Sequence, residues 1–138
     1  MRKVGFQVST RMSGQKRIVR VVVYDDIQEL RRDGDKYNQN MNHEQSNDGV
    51  LGLAHRYERI DIESDTSHPE VGTIRLHKDF LRSGIICHEV AHIALWIYET
   101  DIKKPLTTED NENEEKFCHI LGELTAKIVN KLYAKELL

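Results

Sequence analysis

Two histidines and a glutamate lie close together at His88, Glu89 and His92, inside the apolar stretch "IICHEVAHIALWIY". In a helix, residues four apart share one face, so the two imidazoles would stand side by side, one turn apart. Two imidazole nitrogens at this spacing can reach one metal ion at about 2.0–2.1 Å. Glu89 would lie just outside the ligands, where it can take a proton from a water molecule. The spacing predicts a zinc site with His88 and His92 as ligands and Glu89 as catalytic base.

The surroundings of this motif favour a metal site over a chance pattern. In a chain of this size the three fixed letters arise by chance in roughly a few per cent of cases. Burial of two imidazoles and a carboxylate without partners costs about 2–7 kcal/mol or more, and a bound cation would offset much of that cost. We expect burial because most neighbours are apolar, namely Ile85, Ile86, Val90, Ile93, Ala94, Leu95 and Ile97.

A zinc site with two histidines needs a third protein ligand and an open position for water. The later stretch "DNENEEKFCHILGELTAKI" offers Glu112, Glu114, Glu115 and His119. A helical projection leaves the choice open, because Glu114 falls at the edge of an apolar stripe and Glu115 on a face of small residues. Glu115 and His119 are one turn apart, so one of them could bind the metal while the other orients that ligand by a hydrogen bond. The stripe comprises Phe117, Ile120, Leu121, Leu124, Ile128 and Leu132.

The elements that would position these residues form an α+β domain. We predict a small mixed sheet packed against the H-E-x-x-H helix, followed by a second long C-terminal helix. The two long helices are expected over about Phe80–Thr100 and from near Asn111 almost to the end. Upstream, the patterns predict a strand in "RIVRVVVYD", a short helix in "DDIQELRRDG" that stops at Gly34, a loop in "DKYNQNMNHEQSNDG", and strands in "VLGLAHRYERIDIES", bent at Gly52, and "VGTIRLHKD".

The last of these strands alternates in the manner of a half-buried strand, with Ile74 and Leu76 on one face. If it lies at the sheet edge beside the site, it would align an extended peptide by strand addition. His77 and Tyr98 are candidates for an extra hydrogen-bond donor. The favoured interpretation of His77 is a solvent-facing strand residue, and that of Tyr98 is helix packing.

Composition limits the classes of partner. The 138 residues suit a single domain over 1–138, and a charge of -3 with interspersed signs gives no support for nucleic-acid binding. The N-terminus has no apolar region typical of a secretory signal, and no apolar run is long enough to span a membrane. We therefore expect a cytoplasmic protein with reduced, buried Cys87 and Cys118. His43, His55 and His68 are interpreted as surface residues, and Trp96 and Tyr133 as core or core-edge aromatics.

The segment "TIRLHKDFLRSGIICHEVAHIALWIY … NEEKFCHILGELTAKI" resembles small zincin-type metallopeptidase domains that phages and mobile elements often encode. The resemblance covers roughly the C-terminal half. It rests on the H-E-x-x-H helix and on a later helix in which Glu115 precedes Phe117, Cys118, the Leu121-Gly122 pair and Thr125. It implies a zincin-like fold, a Zn²⁺ cofactor, a peptide or protein substrate, and Glu115 as third ligand, as in gluzincins. His119 departs from the pattern, which often has an aromatic residue there.

Two other functions remain as alternatives to a peptidase. A non-catalytic zinc-binding module could use the same histidines, with His119 or Cys118 as a fourth ligand closing the site. Glu89 favours the enzyme, because a closed structural site has no use for a carboxylate beside its first histidine. A metal-free interaction protein could instead bind a basic partner through the acidic segment "TTEDNENEE".

Overall fold

The computed structural model describes residues 3–40, 49–57, 69–107, 109 and 111–138, with side chains only to residue 36 in the first range. These residues form four strands and three α-helices, which confirms the predicted α+β class and the long C-terminal helix. In chain order the elements are β1 Lys3–Thr10, β2 Arg17–Tyr24, α1 Ile27–Asn40, β3 Gly52–Arg56, β4 Glu70–His77, a 3₁₀ turn Lys78–Phe80, α2 Ser83–Asp101 and α3 Asn111–Ala134.

The four strands make one mixed sheet in the order β1-β2-β4-β3. β2 pairs in parallel with β4, while β1 with β2 and β3 with β4 are antiparallel. Parallel pairing needs a crossover connection between the two strands, and α1 lies in that connection. The interior position of β2 explains its β-branched sequence, since Val19, Val21 and Val23 are all fully buried.

The condition under which β4 would align a peptide is not met, because β4 lies inside the sheet between β2 and β3 and not at an edge. Both of its faces are covered, as Thr73 and His77 are buried as well as Ile74 and Leu76. Among the described strands β1 and β3 are the two edge strands, and the shorter β3 is the one that lies beside α2.

Helix α1 continues through Gly34 to Asn40, so both the predicted stop and the start of the predicted loop are wrong. A glycine in a helix interior costs only about 1 kcal/mol relative to alanine, and tertiary packing can override it. Gly34 is buried, which shows that the helix packs at this point. The rest of the predicted loop, 41–48, lies outside the described residues.

The main core lies where α2 and α3 pack on one face of the sheet. The predicted apolar stripe of α3 is largely confirmed, because Ile120, Leu124, Ile128 and Leu132 are at most 1% exposed. Each fully buried side chain of this size contributes roughly 1.5–3 kcal/mol. On α2 the matching buried residues are Ile86, Val90, Ile93, Ala94 and Ile97.

The faces of α2 and α3 that point away from this core are exposed, and two expectations fail there. Cys87 and Cys118 are exposed free thiols and not buried small hydrophobes. Leu95 is 36% exposed, so α2 is buried on one side only and not on most sides. The core takes one stripe of each helix, and these residues lie outside it.

Candidate metal centre

His88 and His92 lie on successive turns of α2, with their Nε2 atoms 3.3 Å apart and their ring centroids 4.9 Å apart. Two nitrogens bound to one tetrahedral zinc at about 2.0–2.1 Å would be separated by about 3.3–3.4 Å. The distance in the structure therefore fits a shared ion without movement of either ring. Two neutral imidazoles could also share one N–H···N hydrogen bond at this distance. Both histidines are exposed, contrary to the expected burial, so the argument for a metal rests on geometry and not on the cost of burying them.

Glu89 is the buried member of the group, at 5% exposure. A carboxylate oxygen of Glu89 and one nitrogen of each imidazole all lie within 4.8 Å of one another. Burial raises the pKa of Glu89, and the charge of His88 opposes that rise. Burial lowers the pKa of His92, and His88 lowers it further, which favours the neutral imidazole that a metal needs.

Gly52, the first residue of β3, makes the close approach of β3 to Glu89 possible. A Cβ atom at this position would lie 3.1 Å from Cγ2 of Ile85 and 3.4 Å from both Cγ and Oε2 of Glu89. Any larger residue would therefore press on the side chain of the candidate base. A glycine within a predicted strand was the one sequence signal for this role, since the role depends on packing between β3 and α2.

Trp96 continues the line of the two histidines along α2. Its ring stacks on the ring of His92, with centroids 5.9 Å apart and planes inclined by 27°. The indole is half-buried at the edge of the core, as expected, and it also forms one wall of the site. The spacing His88, His92, Trp96 was a usable signal, because residues four apart line one helix face.

A cleft of about 630 Å³ lies between the edge strand β3 and helix α2, and it contains this site. This volume is in the usual range for small-molecule and peptide-side-chain sites. Residues 50–54 form one wall, and the other wall is formed by Gly84, Ile85, His88, Glu89, His92 and Trp96.

The structure does not bring the predicted third ligand into the group. Glu115 is exposed, and its Oε2 lies 3.6 Å from Nε2 of His119, which is also exposed. Glu114 is half-buried in the first turn of α3. Among the described residues, the only cluster of three metal-ligating side chains is His88, Glu89 and His92. The assignment of Glu115, with Glu114 and His119 as alternatives, therefore stays a prediction.

Other candidate residues lie away from the cleft. His77 is buried, accepts a hydrogen bond from the Asp79 amide at 3.1 Å and contacts the Asp25 carbonyl at 3.1 Å, so the solvent-facing interpretation is wrong. Tyr98 is buried with its ring 6.3 Å from Phe117, which confirms helix packing. His55 is also buried, contrary to expectation, and Tyr133 is exposed. His43 and His68 lie outside the described residues.

No family model matches the chain, and no curated protein or solved structure matches it significantly. Within the described part of the chain, none of the helices has the length and apolar character needed to cross a membrane.

Proposed function

We propose that the protein is a zinc-dependent metallopeptidase. The observation that carries the proposal is the 3.3 Å separation of the His88 and His92 Nε2 atoms, with the buried Glu89 carboxylate beside them. A shared N–H···N hydrogen bond could bring a chance pair of surface histidines to this spacing, but it would not explain the buried acid beside them. Imidazole nitrogens also suit zinc, and a carboxylate next to them can serve as the base.

Each residue of the cleft would have its own role in peptide hydrolysis. A zinc ion in this position would supply Lewis acidity to a water molecule and to the scissile carbonyl. Glu89 would accept a proton from the attacking water and then donate it to the leaving amine. Burial of Glu89 against Gly52 and Ile85 holds its carboxylate in one place for both transfers. Trp96 fixes the orientation of the His92 ring by stacking on it.

The edge strand β3 suggests how a peptide would be held. β3 runs alongside α2, because Gly52 meets Glu89 near one end while Arg56 bonds to Thr100 Oγ1 at 3.3 Å near the other. An extended peptide could pair with the outer edge of β3 and pass over the two histidines. Gly52 and Ala54, both small, line this cleft and leave room for alternate side chains of the peptide.

Replacement of Glu89 by glutamine tests the proposal. The parent should purify with zinc and cleave unfolded proteins or a mixed peptide library. Glu89→Gln should keep its zinc and lose about 10²–10⁴-fold in cleavage rate, because it lacks the base. Zinc is measured by atomic emission and cleavage by mass spectrometry. The matched control is Glu99→Gln, which makes the same charge change at an exposed residue of α2 and should cleave at the parent rate. A Glu89→Gln variant as active as the parent would rule out this mechanism.

A non-catalytic zinc-binding module is the second candidate. The exposure of both imidazoles and the position of Glu115 outside the group favour it, since a binding module can recruit further ligands from a partner. The same experiment separates the two functions. Stoichiometric zinc with no cleavage of any peptide in the library would support the module.

A further inference from the structure

A second cavity, of about 490 Å³, lies on the sheet face opposite the core formed with α2 and α3. Strand residues alternate between faces, so Val19, Val21 and Val23 enter that core while Arg20 and Val22 face the other way. Helix α1 approaches this second face, where the Tyr24 hydroxyl donates to Asp33 Oδ2 at 2.7 Å. The cavity is therefore separated from the candidate metal centre by the full thickness of the sheet.

The floor of the cavity is one cross-strand row of the sheet. Gly5 on β1 is opposite Val22 on β2, and Val22 is aligned with Arg75 on β4. A Cβ atom at Gly5 would meet only the Val21 carbonyl oxygen, at 3.8 Å, so the space above Gly5 is open. Because Gly5 has no side chain and that of Val22 is short, the sheet surface has a depression here. Arg75 lies in the same row.

Arg75 lines this depression and has hydrogen-bond donors without an acceptor among the described residues. Its Nε and Nη1 atoms are buried, and no acceptor in the described part of the chain bonds to them. Buried polar atoms in proteins are nearly always hydrogen-bonded, so these two donors are unusual, although Asp33 partly balances the charge of Arg75. A guanidinium presents its donors as a planar fork, which matches the paired oxygens of a phosphate or carboxylate.

The other charges around the cavity also favour an anion. Lys3, Arg20 and Arg75 line it, against one lining carboxylate, that of Asp33. Asp33 is already engaged by the Tyr24 hydroxyl at 2.7 Å and by Lys3 Nζ at 3.6 Å. Although burial opposes the change, the bond from Tyr24 and the charges of Lys3 and Arg75 hold the pKa of Asp33 below its ordinary value.

We propose that this cavity binds a small molecule that carries a phosphate or carboxylate group, held by the guanidinium groups of Arg75 and Arg20. The Tyr57 and Thr73 hydroxyls, bonded to each other at 2.6 Å, line the same cavity and supply further polar contacts. The volume lies within the usual range for small-molecule sites. This binding site is independent of the proposed peptidase activity.

Titration of the full chain followed by ¹H–¹⁵N NMR tests the proposal. Inorganic phosphate and succinate are added separately, with sodium chloride holding the ionic strength constant. The Gly5 and Val22 amides and the Arg75 Nε–H resonance should shift saturably, with a dissociation constant on the order of 1 mM. Arg20→Gln should weaken binding about tenfold or more, because a charge-assisted bond is lost. Arg11→Gln makes the same charge change at an exposed position and should bind like the parent.

The two anions identify the ligand class, since tighter phosphate binding indicates a phosphorylated ligand and tighter succinate binding a carboxylate. Arg75→Gln should abolish saturation, and its spectrum reports whether it folds. If that variant does not fold, the titration of Arg20→Gln alone tests the proposal. Shifts that do not saturate, shifts confined to the amides around His88, or unchanged binding by Arg20→Gln would overturn the proposal.

Discussion

At the scale of single residues, the site depends on how closely β3 approaches the Glu89 side chain. His88, Glu89 and His92 were predictable, because their spacing alone brings them to one helix face. Gly52 was not, since its role arises from a contact between β3 and α2, which are separated along the chain by β4. The burial of Glu89 was also expected, whereas the exposure of the imidazoles follows from the narrow core stripe of α2.

Gly52→Ala should impair the site more than the fold. The new methyl group would lie 3.1 Å from Ile85 Cγ2 and 3.4 Å from Glu89 Oε2, so one or both must shift. We expect a loss of about 1–3 kcal/mol in the free energy of unfolding and, if the peptidase proposal holds, a lower cleavage rate with unchanged zinc content. Urea unfolding and peptide cleavage measure the two effects.

The matched control for this substitution is Gly122→Ala on α3. A Cβ atom at Gly122 meets nothing within 4 Å, so alanine there should stabilise the helix by up to about 1 kcal/mol without affecting cleavage. Equal behaviour of the two variants would show that the contact between Gly52 and Glu89 has no consequence.

At the scale of elements, a buried ion pair joins the start of β2 to the end of α2. Arg17 Nε donates to Asp101 Oδ2 at 3.0 Å, Arg17 Nη2 contacts Oδ1, and the Ser13 hydroxyl also donates to Asp101. Both charged side chains are at most 2% exposed. The pair fixes the C-terminal end of the helix that carries the candidate metal ligands.

Asp101→Asn should therefore destabilise the protein strongly. Loss of one member of a buried pair leaves the other charge uncompensated, and we expect a cost of about 3–5 kcal/mol. The comparison is Glu99→Gln, which breaks an exposed pair with Arg56 at 3.8 Å on the same helix and should change stability by less than about 1 kcal/mol. Chemical denaturation measures both. Similar losses in the two variants would show that the buried pair does not hold α2 in place.

The elements themselves were unequally predictable. β2, β4 and both long helices were recognisable from local patterns in "RIVRVVVY", "EVGTIRLH" and the two apolar stripes. β1 gave no prediction, because Val4, Phe6 and Val8 alternate with residues that also suit a loop. The strand order could not be predicted from local patterns. The parallel pairing of β2 with β4 joins residues about 50 positions apart in the chain, beginning with Ile18 opposite Glu70.

At the scale of the whole molecule, metal binding should couple to stability. A ligand present at 100 times its dissociation constant stabilises the native state by about 2.7 kcal/mol, equivalent to a rise in Tm of roughly 9 °C for a chain of 138 residues. Removal of zinc with a chelator should lower the Tm of the parent by this amount. The His88→Ala/His92→Ala variant should show no response to zinc or chelator, and an equal response would place the metal elsewhere. Differential scanning calorimetry measures the shift.

The same measurement decides whether α3 takes part in the site. Glu115 must exchange its 3.6 Å contact with His119 for the ion if it is the third ligand. Glu115→Ala should then leave the Tm of the zinc-free protein nearly unchanged, because the side chain is exposed, and should remove most of the zinc-dependent rise. Glu112→Ala, at an exposed position three residues earlier on α3, is the control and should keep the full rise. A full rise in both variants would exclude Glu115 as the third ligand and would leave Glu114, His119 or a group from a partner to complete the site.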